Sequence, residues 1–227
     1  MSIKNNLEIV LSNISDACAA ANRKSDEVKL ITVTKTVDIG RINEAVDAGA
    51  LNLGENRVQE FLSKVENVDN SVSWHIIGQM QTNKVKYIID KIKLLHSVDR
   101  IELFAEIEKQ CEKRQTSLDV LVEVNLSGEQ TKAGVKPQLL DKLLEDSVNY
   151  KRVKVKGFMT IAPLSTDNET ARPYFAKLRK ISDKYSRIKT DNFETGILSM
   201  GMSADFRAAI MEGSNMVRIG TAIFGSR

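Results

Sequence analysis

The sequence predicts an α/β fold, a single (β/α)8 TIM barrel covering residues 1–227, with an extra N-terminal helix. Three observations carry this expectation. Short β-branched runs alternate eight times with segments of helical spacing. Strict alternation implies parallel strands joined by right-handed crossovers. An amphipathic helix precedes the first strand and none is expected after the last, so the first helix can fill the vacant place in the outer ring. The length of 227 residues suits a compact barrel. An open doubly wound sheet is the alternative that the same alternation allows.

Ile3, Leu7, Val10, Leu11, Ile14, Ala17 and Cys18 recur at helical spacing, so residues 2–22 form the leading helix. Residues 28–35 form the first strand, because Val, Ile and Thr pack well on a pleated surface. Helical spacing follows over about 38–49, with Gly49 as its stop. A very short second strand, 51–56, precedes a helix over 57–66. The third strand, 72–78, carries Trp74 and His75. Thr82 is placed to cap a helix reaching Lys91. The fourth strand covers 93–98, and Asp99 caps a long helix to Arg114. The fifth strand, 118–126, leads into the polar loop 127–134. Pro137 then opens a helix at its first turn, where a missing N–H is harmless. A sixth strand (153–160), a helix over about 168–187 and a seventh strand (194–199) follow. Ser203 caps a helix over 204–212, Gly213 stops it, and the last strand covers 216–219.

Composition excludes several classes. Lys and Arg number 33 against 30 Asp and Glu, a net charge of +3. With no basic run, nucleic acid is not an expected partner. Cys18 and Cys111 lie within helical patterns and outside any Cys/His cluster. They read as reduced thiols of a cytoplasmic protein, neither a disulfide framework nor a metal site. The chain starts directly on an amphipathic pattern rather than a leader, and no apolar run is long enough to cross a bilayer. A closed barrel leaves no sheet edge to pair, so a monomer is expected.

In such a barrel, ligand chemistry gathers where the strands end. Lys35 stands at the end of the first strand as a candidate amine. Taken alone, it is more simply a solvated lysine. Residues 199–205 lie between a strand and a helix start, where small residues let backbone N–H groups approach a ligand. Ser199, Gly201 and Ser203 are the candidates there. Gly220 and Thr221 add an amide and a hydroxyl after the last strand. Each loop alone reads as a cap or a tight turn. Together they lie after strands seven and eight, a common place for phosphate in barrels. A phosphate site across the mouth from a strand-end lysine suits a phosphorylated aldehyde held as a Schiff base, of which pyridoxal 5′-phosphate (PLP) is the obvious example. Arg218 cannot accept a proton. Beside a pyridine nitrogen it would leave that atom unprotonated. By itself it reads as one half of an ion pair, with Glu55 as a possible partner in the barrel mouth.

Several segments occur in order and carry a resemblance. They are Val33-Thr34-Lys35-Thr36, Leu53-Gly54-Glu55-Asn56-Arg57, Trp74-His75-Ile76-Ile77-Gly78, Gln81-Thr82-Asn83-Lys84, Gly157-Phe158-Met159-Thr160, Leu198-Ser199-Met200-Gly201-Met202-Ser203 and Met216-Val217-Arg218-Ile219-Gly220-Thr221. Together they resemble the pyridoxal phosphate homeostasis protein family, from the first strand onward. Thr34, Ile76 and Asn215 depart from its commonest spelling of Ser, Phe and Thr, without touching the expected site. The resemblance implies a barrel similar to the N-terminal domain of alanine racemase, with PLP bound on Lys35. It implies Arg218 near the pyridine nitrogen, Ser203, Gly220 and Thr221 around the phosphate, and Asn56 near the ring. Ser199 and Gly201 are added from the loop argument.

The function this implies is intracellular PLP homeostasis without substrate turnover, with PLP-dependent apoenzymes as the partners such a role calls for. After the last strand too little chain remains for the second, β-rich domain with which racemases complete their sites. The alternative is a PLP-dependent amino-acid racemase or lyase using His96 or His75. A third reading is a barrel enzyme for a small phosphorylated substrate, with no PLP. His75 reads as a hydrogen-bonded core histidine, whereas His96, nearer a strand end, stays open. Lys132 reads as a solvated loop lysine and Cys111 as packing.

Overall fold

The computed structural model describes residues 2–129, 131–163, 168–188 and 190–225. Gln130 of the predicted polar loop and residues 226–227 of the tail lie outside them. Eight parallel strands close in sequence order: β1 (Lys29–Val33), β2 (Asn52–Glu55), β3 (Ser73–Ile76), β4 (Leu94–Val98), β5 (Leu118–Glu123), β6 (Val153–Met159), β7 (Phe193–Met202) and β8 (Met216–Ile219). Pairing of β1 with β8, Ile31 opposite Arg218, completes the ring and excludes the open sheet. The helices are α1 (Ile3–Ala20), α2 (Ile39–Asp47), α3 (Val58–Lys64), α4 (Ile101–Lys113), α5 (Pro137–Ser147), α6 (Asn168–Tyr185), α7 (Phe206–Met211) and α8 (Thr221–Phe224).

Alternation along the strands divides two cores. Outward strand side chains such as Trp74, Val122 and Phe158 pack against helix side chains such as Phe61 and Phe104 between sheet and helices. Ile31, Val33, Ile77, Leu94, Leu121, Met159 and Met216 fill the barrel interior. Each buried side chain of this size contributes about 1.5–3 kcal/mol. Helix α1 starts at Ser2, whose hydroxyl accepts from the Asn5 amide at 3.2 Å. It packs against α2, α7 and α8. It therefore occupies the expected place in the ring, although the last strand is followed by one helical turn, α8. Asn6 Nδ2 ties the two by donating to Ile223 O at 2.9 Å.

Three local expectations are corrected. The segment opening at Thr82 is a 3₁₀ helix, Thr82–Tyr87, that stops short of Lys91; bonds three residues apart bracket it, from the Lys84 amide to Gln81 O at 3.0 Å and from the Ile88 amide to Val85 O at 3.1 Å. Asp99 does not cap α4. Its carboxylate accepts from Arg100 Nη1 at 2.6 Å and from the Gly134 amide at 3.4 Å, and Arg100 takes the cap position. Strand β7 continues to Met202, so Ser203 does not cap the helix that follows. Asp205 holds that position, and its Oδ1 accepts from the Met202 amide at 2.6 Å.

Candidate cofactor site at the barrel mouth

The C-terminal ends of the strands surround a cavity of about 600 Å³. Lys35, Asn56, Ser203, Arg218, Gly220 and Thr221 line it, together with Gln79, Glu123, Asn125 and Lys132. Val33 and Ile77 supply apolar wall. Lys35 extends β1 past its last ladder residue and is half-buried. Among the described residues its amine has no hydrogen-bond or ion-pair partner. Ser203 lies in the loop after β7, Gly220 directly follows β8, and Thr221 opens α8.

The turn that carries Lys35 is held by a buried polar cluster on the helix side of β1 and β2. Lys64 Nζ, on α3, lies 2.7 Å from Glu55 Oε1, 2.7 Å from Glu60 Oε1 and 2.8 Å from Thr34 O. Thr34 Oγ1 donates to the same Glu55 oxygen at 2.7 Å. Glu60 Oε1 in turn accepts from the amide of Thr36, which adopts the left-handed conformation (φ 59°). Lys35 thus sits between two anchored threonines. Burial raises the Glu55 pKa, and hydrogen bonds from Lys64 and Thr34 partly offset this. Glu55 is therefore the partner of Lys64, not of Arg218. The one sequence signal for this cluster is the i,i+4 spacing of Glu60 and Lys64 on α3.

Arg218 alternates inward from β8 and is almost completely buried. Its Nη1 donates to Ser199 Oγ at 2.7 Å and its Nη2 to Thr160 O at 3.0 Å. Burial pushes its pKa down to about 10, against the favourable fields of Glu123 and Asp205. Glu123 ends β5 and is the carboxylate of the cavity wall. Burial, then the Asp99 charge, pushes it up to about 7, while Arg218 opposes the rise. The sequence signal for Glu123 is a carboxylate at the C-terminal end of a strand, in the same inward phase as Leu121.

Two expected residues stand apart from the cavity wall. Because β7 runs on past Ser199, that side chain points into the barrel interior beneath the cavity and reaches Arg218 and His96 instead. Gly201 is a packing position: a Cβ there would lie 2.6 Å from Ala209 Cβ and 2.9 Å from Phe206 Cα, so its absence lets α7 close on the sheet. Lys132 moves the other way. It lines the cavity rather than solvent, paired with Glu129 at 2.8 Å. Asn125 directs its loop, because Nδ2 donates to Glu129 O at 2.9 Å and to Lys132 O at 3.1 Å. His75 and His96 are buried in the interior and do not line the cavity. Burial is the first cause that holds both far below the ordinary histidine pKa, His75 at about 3. Cys18 and Cys111 are buried free thiols. Among the described residues no metal-ligating cluster occurs.

Comparison with known proteins places this barrel in a class. Residues 6–227 match the family described as alanine racemase, N-terminal domain. Alanine racemase of Clostridium difficile shares the fold, with a TM-score of 0.75 at 19% identity, over 98% of this chain and 57% of that one. Within that class, a curated relative from Aquifex aeolicus named pyridoxal phosphate homeostasis protein is 47% identical over 97% of this chain and 96% of its own. The Escherichia coli K12 protein of the same name is 35% identical over 99% of this chain and 97% of its own. PipY of Synechococcus elongatus, solved with PLP bound, superposes with a TM-score of 0.81 at 30% identity, over 93% of this chain and 100% of that one. This chain belongs to the pyridoxal phosphate homeostasis protein family.

Proposed function

We propose that residues 1–227 form one PLP-binding domain that acts in PLP homeostasis, holding the cofactor on Lys35 without turning over a substrate. One observation carries this reading: the Lys35 amine, without a partner among the described residues, shares a cavity with the buried Arg218 guanidinium and with Ser203, Gly220 and Thr221. That donor set fits the group. PLP supplies an aldehyde carbon that forms a reversible Schiff base with an amine, releasing water. Lys35 presents the amine, and Ser203, Gly220 and Thr221 offer donors to a phosphate. Asn56 lies on the same wall. Arg218 donates and cannot accept, so beside a pyridine nitrogen it would leave that atom unprotonated and the ring a weak electron sink. Ser199 contributes from beneath by holding Arg218.

The racemase or lyase alternative gains nothing from the histidines, which are buried, uncharged and off the cavity wall. The buried free thiols support a cytoplasmic setting, and the closed barrel supports a monomer. PLP-dependent apoenzymes are the proposed recipients.

The test is trapping. Borohydride reduction of protein mixed with PLP should fix one PLP mass on the peptide containing Lys35, and Lys35→Ala should take up none there. A colourless protein that takes up no PLP removes the reading. Rapid Cα–deuterium exchange of amino acids, lost in Lys35→Ala, would instead establish an enzyme.

A further inference from the structure

Beneath the cavity the barrel interior holds an unbroken line of polar side chains drawn from four strands. Arg218 Nη1 lies 2.7 Å from Ser199 Oγ, Ser199 Oγ 3.0 Å from His96 Nδ1, and His96 Nε2 2.9 Å from His75 Nδ1. The direction of the line follows from its first member. A guanidinium only donates, so Ser199 Oγ accepts from Arg218 and its own proton needs an acceptor. The acceptor in reach is His96 Nδ1. A neutral imidazole that accepts at Nδ1 carries its proton on Nε2, and that proton goes to His75 Nδ1. By the same rule His75 keeps its proton on Nε2, a buried atom with no partner among the described residues. The reverse arrangement would place two donors on the Ser199 oxygen, strand the hydroxyl proton and leave His75 Nε2 as a buried acceptor without a partner among the described residues, one unsatisfied group more than the forward arrangement, which strands the His75 Nε2 proton alone.

We propose that His96 and His75 are positioning residues: as neutral Nε2–H tautomers they take up the Ser199 proton and so fix the Arg218 guanidinium at the cavity floor. The tautomers stand independently of any ligand. The consequence for a cofactor ring rests on the PLP reading above. Protonation of either ring is disfavoured. Burial opposes it first in both; the His75 ring and the Arg218 charge add to this at His96, and the Lys29 and Lys93 charges at His75. The line commits one Nη1 proton of Arg218, and Thr160 O takes one from Nη2. The other donors remain available to a ligand.

The chain contains two histidines, so nitrogen-15 NMR of the full-length protein without ligand reads them directly. Both rings should appear as Nε2–H tautomers, unchanged between about pH 5 and 8. In Ser199→Ala the His96 signal should lose its single tautomer. Its PLP Kd should weaken about tenfold, the scale of a lost hydrogen bond to a charged group, and the bound-cofactor absorption should shift. Ser199→Thr, which keeps the hydroxyl, should restore all three. An Nδ1–H tautomer on wild-type His96, or a charged ring above about pH 5.5, overturns the proposal whether or not PLP binds. Unchanged Kd and absorption in a folded Ser199→Ala protein overturn the positioning role. If wild-type protein takes up no PLP, the function proposed above fails, while the tautomers still decide the line.

Discussion

Lys64→Met leaves the Glu55 carboxylate buried without its cation. Lys64 is 5% exposed and Glu55 0%, and their charged atoms lie 2.7 Å apart. Breaking such a pair from one side costs about 3–5 kcal/mol, because the remaining charge keeps its desolvation and loses its partner. At roughly 2–4 °C per kcal/mol for a chain of this length, the melting midpoint should fall by roughly 6–20 °C. The deficit should also depend on pH. Burial already raises the Glu55 pKa, and losing Lys64 raises it further. A carboxyl with a folded pKa above its unfolded value favours folding below the unfolded value, and that contribution is lost as pH rises through the folded one. The deficit of Lys64→Met should therefore be largest near pH 8 and shrink towards about pH 4–5. Combining it with Glu55→Gln removes the stranded charge and keeps an acceptor for Thr34, so most of the loss should return. Urea denaturation of wild type, Lys64→Met and the double variant at three pH values measures this. A Lys64→Met protein within about 1 kcal/mol of wild type at pH 8, or a double variant no better than the single, would refute the reasoning. The same cluster anchors Thr36, so borohydride trapping at Lys35 should also slow in Lys64→Met.

Glu123→Gln should change how stability varies with pH. The Glu123 pKa is pushed up to about 7, so wild type should lose stability as pH rises from about 4.5 through 7. The amide variant should lack that loss, on the order of 2–3 kcal/mol in urea melts, and parallel profiles would count against a titrating Glu123. Gly78→Ala would place a Cβ 2.4 Å from Asn56 O and 2.8 Å from Asn56 Cα on the cavity wall. It should cost about 1–3 kcal/mol and weaken PLP uptake, and a thermal melt and PLP titration matching wild type would show that the wall yields freely.

Much of the barrel was legible because its signals are local. Ile31 and Val33 facing inward, and Val120 and Val122 facing helices, follow from alternation and β-branching within a few residues. Boundaries that depend on a neighbour were less so. Ser199 read as the end of a strand, yet β7 continues to Met202, which leaves Ser199 three residues short of the strand end and beneath the cavity. The 82–87 segment read as an α-helix because a spacing of three fits both helical forms over so short a span.

Patterning along the chain was enough to place Lys35, Asn56, Ser203, Arg218, Gly220 and Thr221 at strand ends, since a strand end is a local event. It could not tell which strand ends face one another, what lies beneath them, or which charges lose water. Closing the ring settled those matters. It turned Lys132 from a loop lysine into cavity wall, joined Glu55 to Lys64 rather than Arg218, raised Glu123, and sent His75 and His96 below the cavity to stand behind Arg218 through Ser199. The physical reason is that hydrogen bonding and desolvation depend on distance in space, and these partners come from strands far apart in sequence.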